Sequence, residues 1–298
     1  MIYGTCTCQA TCEDPNGQSG CNSDCLGTEG CTCPAGFLMQ GVTASVRVNA
    51  GVSWQRSTWL YQDCQDVYDA GNTQDGVYSI MPTGWPGSPF NVHCRMHGDE
   101  GWTVFQRRTD DGTSFYQDWD AYKDGFGNNV NFWLGNEKLY YLTNQDDYKL
   151  RLDITTSDGT SLYSEYTEFQ IESEDTNYKM NKLGNRTSPS GSAGNYLYYS
   201  KGKQFSTYDR DNDACEHFNC AEKHRSGWWH INYSYGCSSC YRSDSRCSRF
   251  QYNGNCHSVC TYDNLNGDYN GGNGQNIFSY YNNYCNPQTV EMKIRPSS

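Results

Sequence analysis

The chain has 298 residues, a formal net charge of -12, and an unusual load of Tyr (25), Gly (30), Trp (8) and Cys (17). That length suffices for one large domain and a smaller module, and the composition points away from helical bundles and parallel sheets toward a loop-rich β or α+β protein. With no clustered Lys/Arg stripe the acidic balance argues against a nucleic-acid partner, and no run of about 20 apolar residues exists to span a membrane.

Seven cysteines lie within residues 6–33, none within 34–63 and ten from Cys64 onward. Cysteines at this density belong to an oxidising compartment, so a secreted, extracellular protein is expected. Met1-Ile2-Tyr3-Gly4 runs almost directly into cysteines without the apolar stretch of a signal peptide, so a leader is expected to have been removed or to lie outside this sequence. The cysteine gap divides the chain into a cysteine-rich module (1–38), a linker (39–62) and a large domain (63–298).

Within the linker, Val42, Ala44, Val46 and Val48 alternate with Thr43, Ser45 and Arg47, a pattern that fits a short strand or an extended connection. Residues 76–80, 102–107 and 148–154 alternate apolar and polar side chains at period two, predicting half-buried antiparallel strands. A short helix is predicted over 136–142, after Gly135. Beyond residue 184 the chain turns polar, rich in Gly, Asn, Ser and Tyr, and predicts loops held by disulfides and a metal. Two N-glycosylation triplets, Asn185-Arg186-Thr187 and Asn232-Tyr233-Ser234, fit secretion, although such triplets are common by chance.

Asp63-Cys64-Gln65-Asp66-Val67-Tyr68 is followed by Gly101-Trp102-Thr103-Val104-Phe105-Gln106-Arg107-Arg108, then by Tyr122-Lys123-Asp124-Gly125-Phe126-Gly127 and Phe132-Trp133-Leu134-Gly135-Asn136-Glu137. Farther on come Asp209-Arg210-Asp211-Asn212-Asp213, Asn219-Cys220-Ala221, Gly227-Trp228-Trp229, Asn255-Cys256-His257, Asn264-Leu265-Asn266-Gly267 and Glu291-Met292-Lys293-Ile294-Arg295-Pro296. In this order, across 63–296, they resemble the fibrinogen-related domain of ficolins, tenascins and angiopoietins. The resemblance implies an α+β fold with a central twisted antiparallel sheet, short helices and a loop-rich calcium-binding subdomain. It also implies Cys64–Cys94 and Cys220–Cys256 disulfides.

An insertion of about 20 residues, near 231–254, departs from the family pattern. It carries Cys237, Cys240 and Cys247, which with Cys215, Cys260 and Cys285 make six extra cysteines. Fifteen pairings of six are possible. The N-terminal runs Cys8-Gln9-Ala10-Thr11-Cys12, Cys21-Asn22-Ser23-Asp24-Cys25 and Cys31-Thr32-Cys33-Pro34-Ala35-Gly36-Phe37 resemble part of a trypsin-inhibitor-like cysteine-rich domain. That family has ten cysteines where this module has seven, and an EGF-like remnant is the alternative.

Hard oxygen ligands at the Asp209/Asp211/Asp213 spacing can converge on Ca²⁺. Aligned on the family, Asp211 and Asp213 supply carboxylates while Cys215 and His217 supply carbonyls. The resemblance places an acetyl-group pocket beside the ion, floored by a cis peptide before Cys256 and lined by Asn255, Cys256 and His257, with His257 donating to an acetyl carbonyl and His224 on the rim. Peptide-binding fibrinogen chains carry an acidic residue at the His224 position, and a neutral imidazole cannot pair an ammonium as a carboxylate does. No aromatic falls cleanly at the pocket's far wall near 271–274, where Tyr269, Tyr280 or Tyr281 are substitutes.

No Gly-x-Ser-x-Gly elbow or His-Glu-x-x-His run is present. Cys237-Ser238-Ser239-Cys240 has redox spacing but reads as structural half-cystines, with a zinc site including His230 more remote. The sequence thus predicts a non-enzymatic, secreted, calcium-dependent lectin-like protein whose partners are glycans or acetylated ligands, with extracellular proteins and homo-oligomers left open. The alternatives are a structural extracellular-matrix or interaction module without a sugar pocket, and a protease inhibitor acting through the N-terminal module.

Overall fold

The structure is a computed structural model of the chain. It describes residues 60–156, 159–187, 196–213, 219–231, 263–269 and 287–297, together with strand backbone at 2–5, 29–32, 37–40, 43–46, 251–252, 255–256, 278–280 and 283–285. Two compact units result, Met1–Leu60 and Tyr61–Ser298. In the first, β1 (Ile2–Thr5) pairs antiparallel with β2 (Glu29–Thr32), and β3 (Phe37–Gln40) with β4 (Thr43–Val46). The alternating stretch of the sequence is therefore a strand at β4.

The second unit is built on an antiparallel sheet. Its strands are β5 (Gly76–Ile80), β6 (Phe90–His97), β7 (Glu100–Arg108), the short β8 (Phe126–Gly127) and β9 (Phe132–Trp133), β10 (Tyr148–Thr156), β11 (Ser161–Tyr166) and, after the strand pairs β12 (Phe169–Ile171)/β13 (Met180–Leu183), β14 (Gln251–Tyr252)/β15 (Asn255–Cys256) and β16 (Phe278–Tyr280)/β17 (Asn283–Cys285), the last strand β18 (Pro287–Pro296). The order across the sheet is β11-β10-β18-β7-β6-β5. The final strand thus lies in the middle, and the sheet is complete only when the C-terminal segment joins it.

Period-two alternation explains why these segments form strands. Leu150, Leu152 and Ile154 of β10 face the core and pair with Ile294, Met292 and Val290 of β18. Between them Arg151, Asp153, Glu291 and Lys293 point the other way and interlock: Arg95 reaches Glu291 and Asp75 at 2.9 Å each, and Lys293 reaches Asp153 at 2.6 Å. Trp102 is buried on this charged face beneath Lys149, Lys293 and Arg295, whose cationic groups lie 5.8–5.9 Å from its ring centre.

Short helices cover the opposite face. Helix α1 (Cys64–Asp69) is capped by Asp63, whose carboxylate accepts from Gln65 N and Asp66 N. A Cys64–Cys94 disulfide, with Cα atoms 5.4 Å apart, fastens it to β6. Gly101 of the sequence motif lies against the Cys64 carbonyl, where any side chain would collide. Helix α2 (Trp119–Asp124) is capped by Asp118, and α3 (Asn136–Gln145) follows Gly135. At the centre of the core the Trp133 ring meets Phe105 at 5.7 Å, Tyr122 at 5.6 Å, Phe205 at 6.0 Å and Trp229 at 6.1 Å. Each such buried aromatic contributes about 2–3 kcal/mol of hydrophobic stabilisation.

Candidate functional site

The acidic loop follows Phe205 and is anchored before it begins. Ser206 and Trp228 exchange backbone hydrogen bonds at 3.0 and 3.2 Å, and Thr207 and Arg210 close a tight turn at 3.0 and 3.2 Å. Asp209 Oδ1 accepts from Thr207 Oγ1 at 2.7 Å and from Trp119 N, the first amide of α2, at 3.0 Å. Asn212 is also held: its amide donates to Ser206 Oγ and its side chain to the Phe205 carbonyl.

Arg210 folds back rather than out. Its guanidinium lies 3.9 Å from the Trp119 ring centre, donates to Asn177 Oδ1 at 2.7 Å and pairs with Glu174 at 3.4 Å. Glu174 gathers the same elements, accepting from Lys123 Nζ at 2.5 Å and Trp119 Nε1 at 2.7 Å. These contacts, the Lys123 ammonium foremost, hold its carboxyl below the usual glutamate range against a smaller opposing effect of burial.

Asp211 and Asp213 behave differently. Asp211 is exposed and Asp213 half-buried. One oxygen of each is engaged by a backbone amide, Asp211 Oδ1 by Asp213 N at 3.2 Å and Asp213 Oδ2 by Cys220 N at 2.8 Å. The second bond joins the loop to helix α4 (Cys220–His224), whose cap Asn219 also donates to the carbonyls of Thr207 and Tyr208. Cys220 is disulfide-bonded.

Two carboxylates on a short anchored loop, those of Asp211 and Asp213, have the hard-oxygen chemistry that Ca²⁺ takes. Cys215, His217 and His257 lie outside the described residues, while Asn255 and Cys256 are described only as the backbone of β15. Among the described residues no group of three or more His, Cys, Asp or Glu side chains could hold a metal, and no peptide bond is cis.

His224 is 2% exposed. It is the last residue of α4, and its ring stacks on His230 with centroids 5.8 Å apart. Tyr269 is tied down by its hydroxyl, which donates to the Thr109 carbonyl at 3.0 Å.

One positioning device was not read from the sequence. Beyond a register shift between Val104 and Gln106, Gln106 and Arg108 of β7 lie opposite the core residues Met292 and Val290 of β18, and both are buried. Gln106 Nε2 donates to the Leu265 carbonyl at 2.9 Å, and Arg108 donates to the carbonyls of Leu265 and Gly267 while stacking on Phe115 at 4.3 Å. Burial pushes the Arg108 guanidinium down to about 10, opposed by the nearby Tyr122, Asp268 and Tyr269. Asn266 extends the clamp to the Gly227 carbonyl, and Ser226 donates to Asn264.

The profile described as fibrinogen beta and gamma chains, C-terminal globular domain, matches residues 60–297, and that of the trypsin inhibitor-like cysteine-rich domain matches residues 1–50. Angiopoietin-related protein 1 of Bos taurus is 41% identical over 172 residues, covering 57% of this chain and 34% of the relative, so the chain spans about a third of that protein's length. Fibrinogen-like protein 1 of Bos taurus is 34% identical over 256 residues, covering 80% of this chain and 72% of the relative. The solved fibrinogen-like globe domain of human ANGPTL2 superposes with a TM-score of 0.65 at 30% identity, covering 80% of this chain and all (100%) of that one. Lamprey fibrin D-dimer, complexed with the peptide Gly-His-Arg-Pro-amide, superposes at 0.64 and 29% identity, covering 81% and 75%. On the fold, the ordered motifs and a profile match over 60–297, the chain belongs to the fibrinogen C-terminal globular domain family.

Proposed function

We propose that the protein is a secreted, non-catalytic recognition protein whose second unit, supported by calcium, binds acetylated or related small groups on glycans. The observation that carries this reading is the anchoring of the acidic loop: Asp209, Arg210 and Asn212 tie it to α2, Asn177 and Phe205, and Asp213 joins it to Cys220, so that Asp211, exposed, and Asp213, half-buried, are held on one short segment. These two carboxylates, with the carbonyls of Cys215 and His217, would hold Ca²⁺. The ion supplies a fixed positive charge that organises the loop beside α4. The ligand would lie between this loop and the Asn255-Cys256-His257 turn, with His257 donating to an acetyl carbonyl. Secretion is supported by the disulfides at Cys64–Cys94 and Cys220.

A second reading, recognition of a protein or peptide through the same unit, is favoured by the peptide in the lamprey structure. Binding of the full chain to immobilised acetylated and non-acetylated sugars, with calcium and after chelation, separates the two. Calcium-dependent retention on acetylated sugars, lost in His257→Ala, supports the lectin reading. Equal retention by wild type and His257→Ala, or none on any acetylated sugar in calcium, shifts the assignment to protein recognition. The N-terminal unit is tested apart from this by inhibition of serine proteases.

A further inference from the structure

Asn185 sits at the outer end of the sheet, in a segment whose backbone is fixed and whose side chain is not. Thr167 N donates to the Asn185 carbonyl at 3.0 Å, Asn185 N donates to Thr167 Oγ1 at 3.0 Å, and Thr187 N donates to the Glu165 carbonyl at 2.9 Å. Arg186 forms an antiparallel bridge with Tyr166, and its Nε reaches Ser164 Oγ at 3.2 Å. In such an extended segment alternate side chains share a face. Arg186 therefore turns toward the sheet, and Asn185 and Thr187 both face solvent, each exposed. The Asn185 side-chain amide makes no hydrogen bond to the described residues.

Beside it opens a polar cleft of about 590 Å³, lined by Thr167, Glu168, Asn185, Arg186, Tyr198 and Lys201 among others. Its size lies within the roughly 300–1,000 Å³ usual for small-ligand sites. Tyr198 is 53% exposed and offers a ring face, while the charged side chains offer hydrogen-bond donors and acceptors. The second triplet, at Asn232, lies outside the described residues.

We infer that Asn185 carries an N-linked glycan whose first sugars lie along this cleft. The acceptor triplet has the required Asn-x-Thr pattern, and the Asn185 and Thr187 side chains are exposed together. The donor class is a lipid-linked diphosphate oligosaccharide. The Asn185 side-chain nitrogen forms a bond to C1 of the reducing-end sugar, the C1–O bond to diphosphate breaks, and the lipid diphosphate leaves with that electron pair. The nitrogen gives up one of its two protons to base, and nothing is oxidised or reduced. Once attached, the glycan removes this end of the sheet from protein docking, since a bulky hydrated chain occupies the surface beside β11.

The test is made on full-length wild-type chain secreted from a eukaryotic cell. Enzymatic release of N-glycans in ¹⁸O water, followed by peptide mass spectrometry, is expected to recover position 185 as Asp bearing one heavy oxygen. Thr187→Ser is expected to keep occupancy and Thr187→Ala to abolish it. Recovery of unmodified Asn185 from secreted wild-type protein overturns the proposal, and this readout does not depend on whether a variant folds. For the cleft, native removal of the glycan is expected to speed amide exchange in 183–187 and 198–201, and unchanged exchange there overturns the sugar contact. Occupancy is read by mass alone, so its outcome is independent of the acetyl-ligand assay.

Discussion

Two parts of the second unit are held in different ways. From β5 to β7, and in β10, β11 and β18, the chain is fixed by backbone ladders and an alternating apolar face, with Leu150, Leu152 and Ile154 opposite Ile294, Met292 and Val290. Residues 205–213, 219–231 and 263–269 have almost no ladder. They are held by side chains bonding to backbone: Asn212 to Phe205, Asn219 to Thr207 and Tyr208, Asn266 to Gly227, Arg108 to Leu265 and Gly267. A ladder is repetitive and tolerant of single substitutions, whereas a loop that depends on one guanidinium or one amide fails at that residue. The candidate site is on the second kind of support, as binding sites on scaffolds commonly are.

The largest expected effect joins the two parts. Trp133 touches Phe105 of the sheet and Phe205 and Trp229 of the loop region, so Trp133→Ala should cost about 4 kcal/mol and destabilise both together. Urea unfolding followed by far-ultraviolet and near-ultraviolet circular dichroism checks this. Two separated transitions in wild type would show the parts to be independent.

Arg108→Met sharpens the contrast. It keeps the volume but strands the carbonyls of Leu265 and Gly267, at a cost of about 2–3 kcal/mol. Exchange is expected to rise in 263–269 and 226–229 well before it rises in β10. A uniform rise across the sheet would mean that Arg108 supports the whole unit.

The smallest effect is the pH response of the loop anchor. Glu174 has its carboxyl held below its ordinary value of 4.5 by Lys123, Trp119 and Arg210. Its folded value lies below its unfolded one, so its stabilisation is fully present above about pH 4.5 and is lost as pH falls through the folded value. On the sheet, burial pushes the Asp153 carboxyl up, but Arg151 and Lys293 together outweigh it and hold it below its ordinary value, so acid loosens both parts. In Glu174→Gln the drop in melting temperature between pH 5 and pH 3 should shrink. An unchanged drop assigns the acid response to the sheet carboxylates alone.

How much was legible in the sequence follows from the same contrast. The strands at 76–80, 102–107 and 148–154 and the helix at 136–142 lie within observed elements because periodicity is a local signal. Helix α2 was not legible: its six residues are stabilised by Asp118 and by Asp209, 90 positions away. The acidic alternation at 209–213 was visible as a pattern. Which elements hold its carboxylates was not, since the Trp119 amide that engages Asp209 and the Cys220 amide that engages Asp213 come from other elements. The burial of His224, whose ring stacks on His230, was likewise not legible from its place in the sequence.

Hydrogen-exchange mass spectrometry of the full chain, in millimolar calcium and after chelation, tests most directly whether calcium organises the candidate site. Chelation should speed exchange in 206–213 and 219–231 while leaving Tyr148–Thr156 and Pro287–Pro296 unchanged, and Asp211→Ala/Asp213→Ala should exchange at the chelated rate in either buffer. Identical exchange in 206–213 with and without calcium would contradict it.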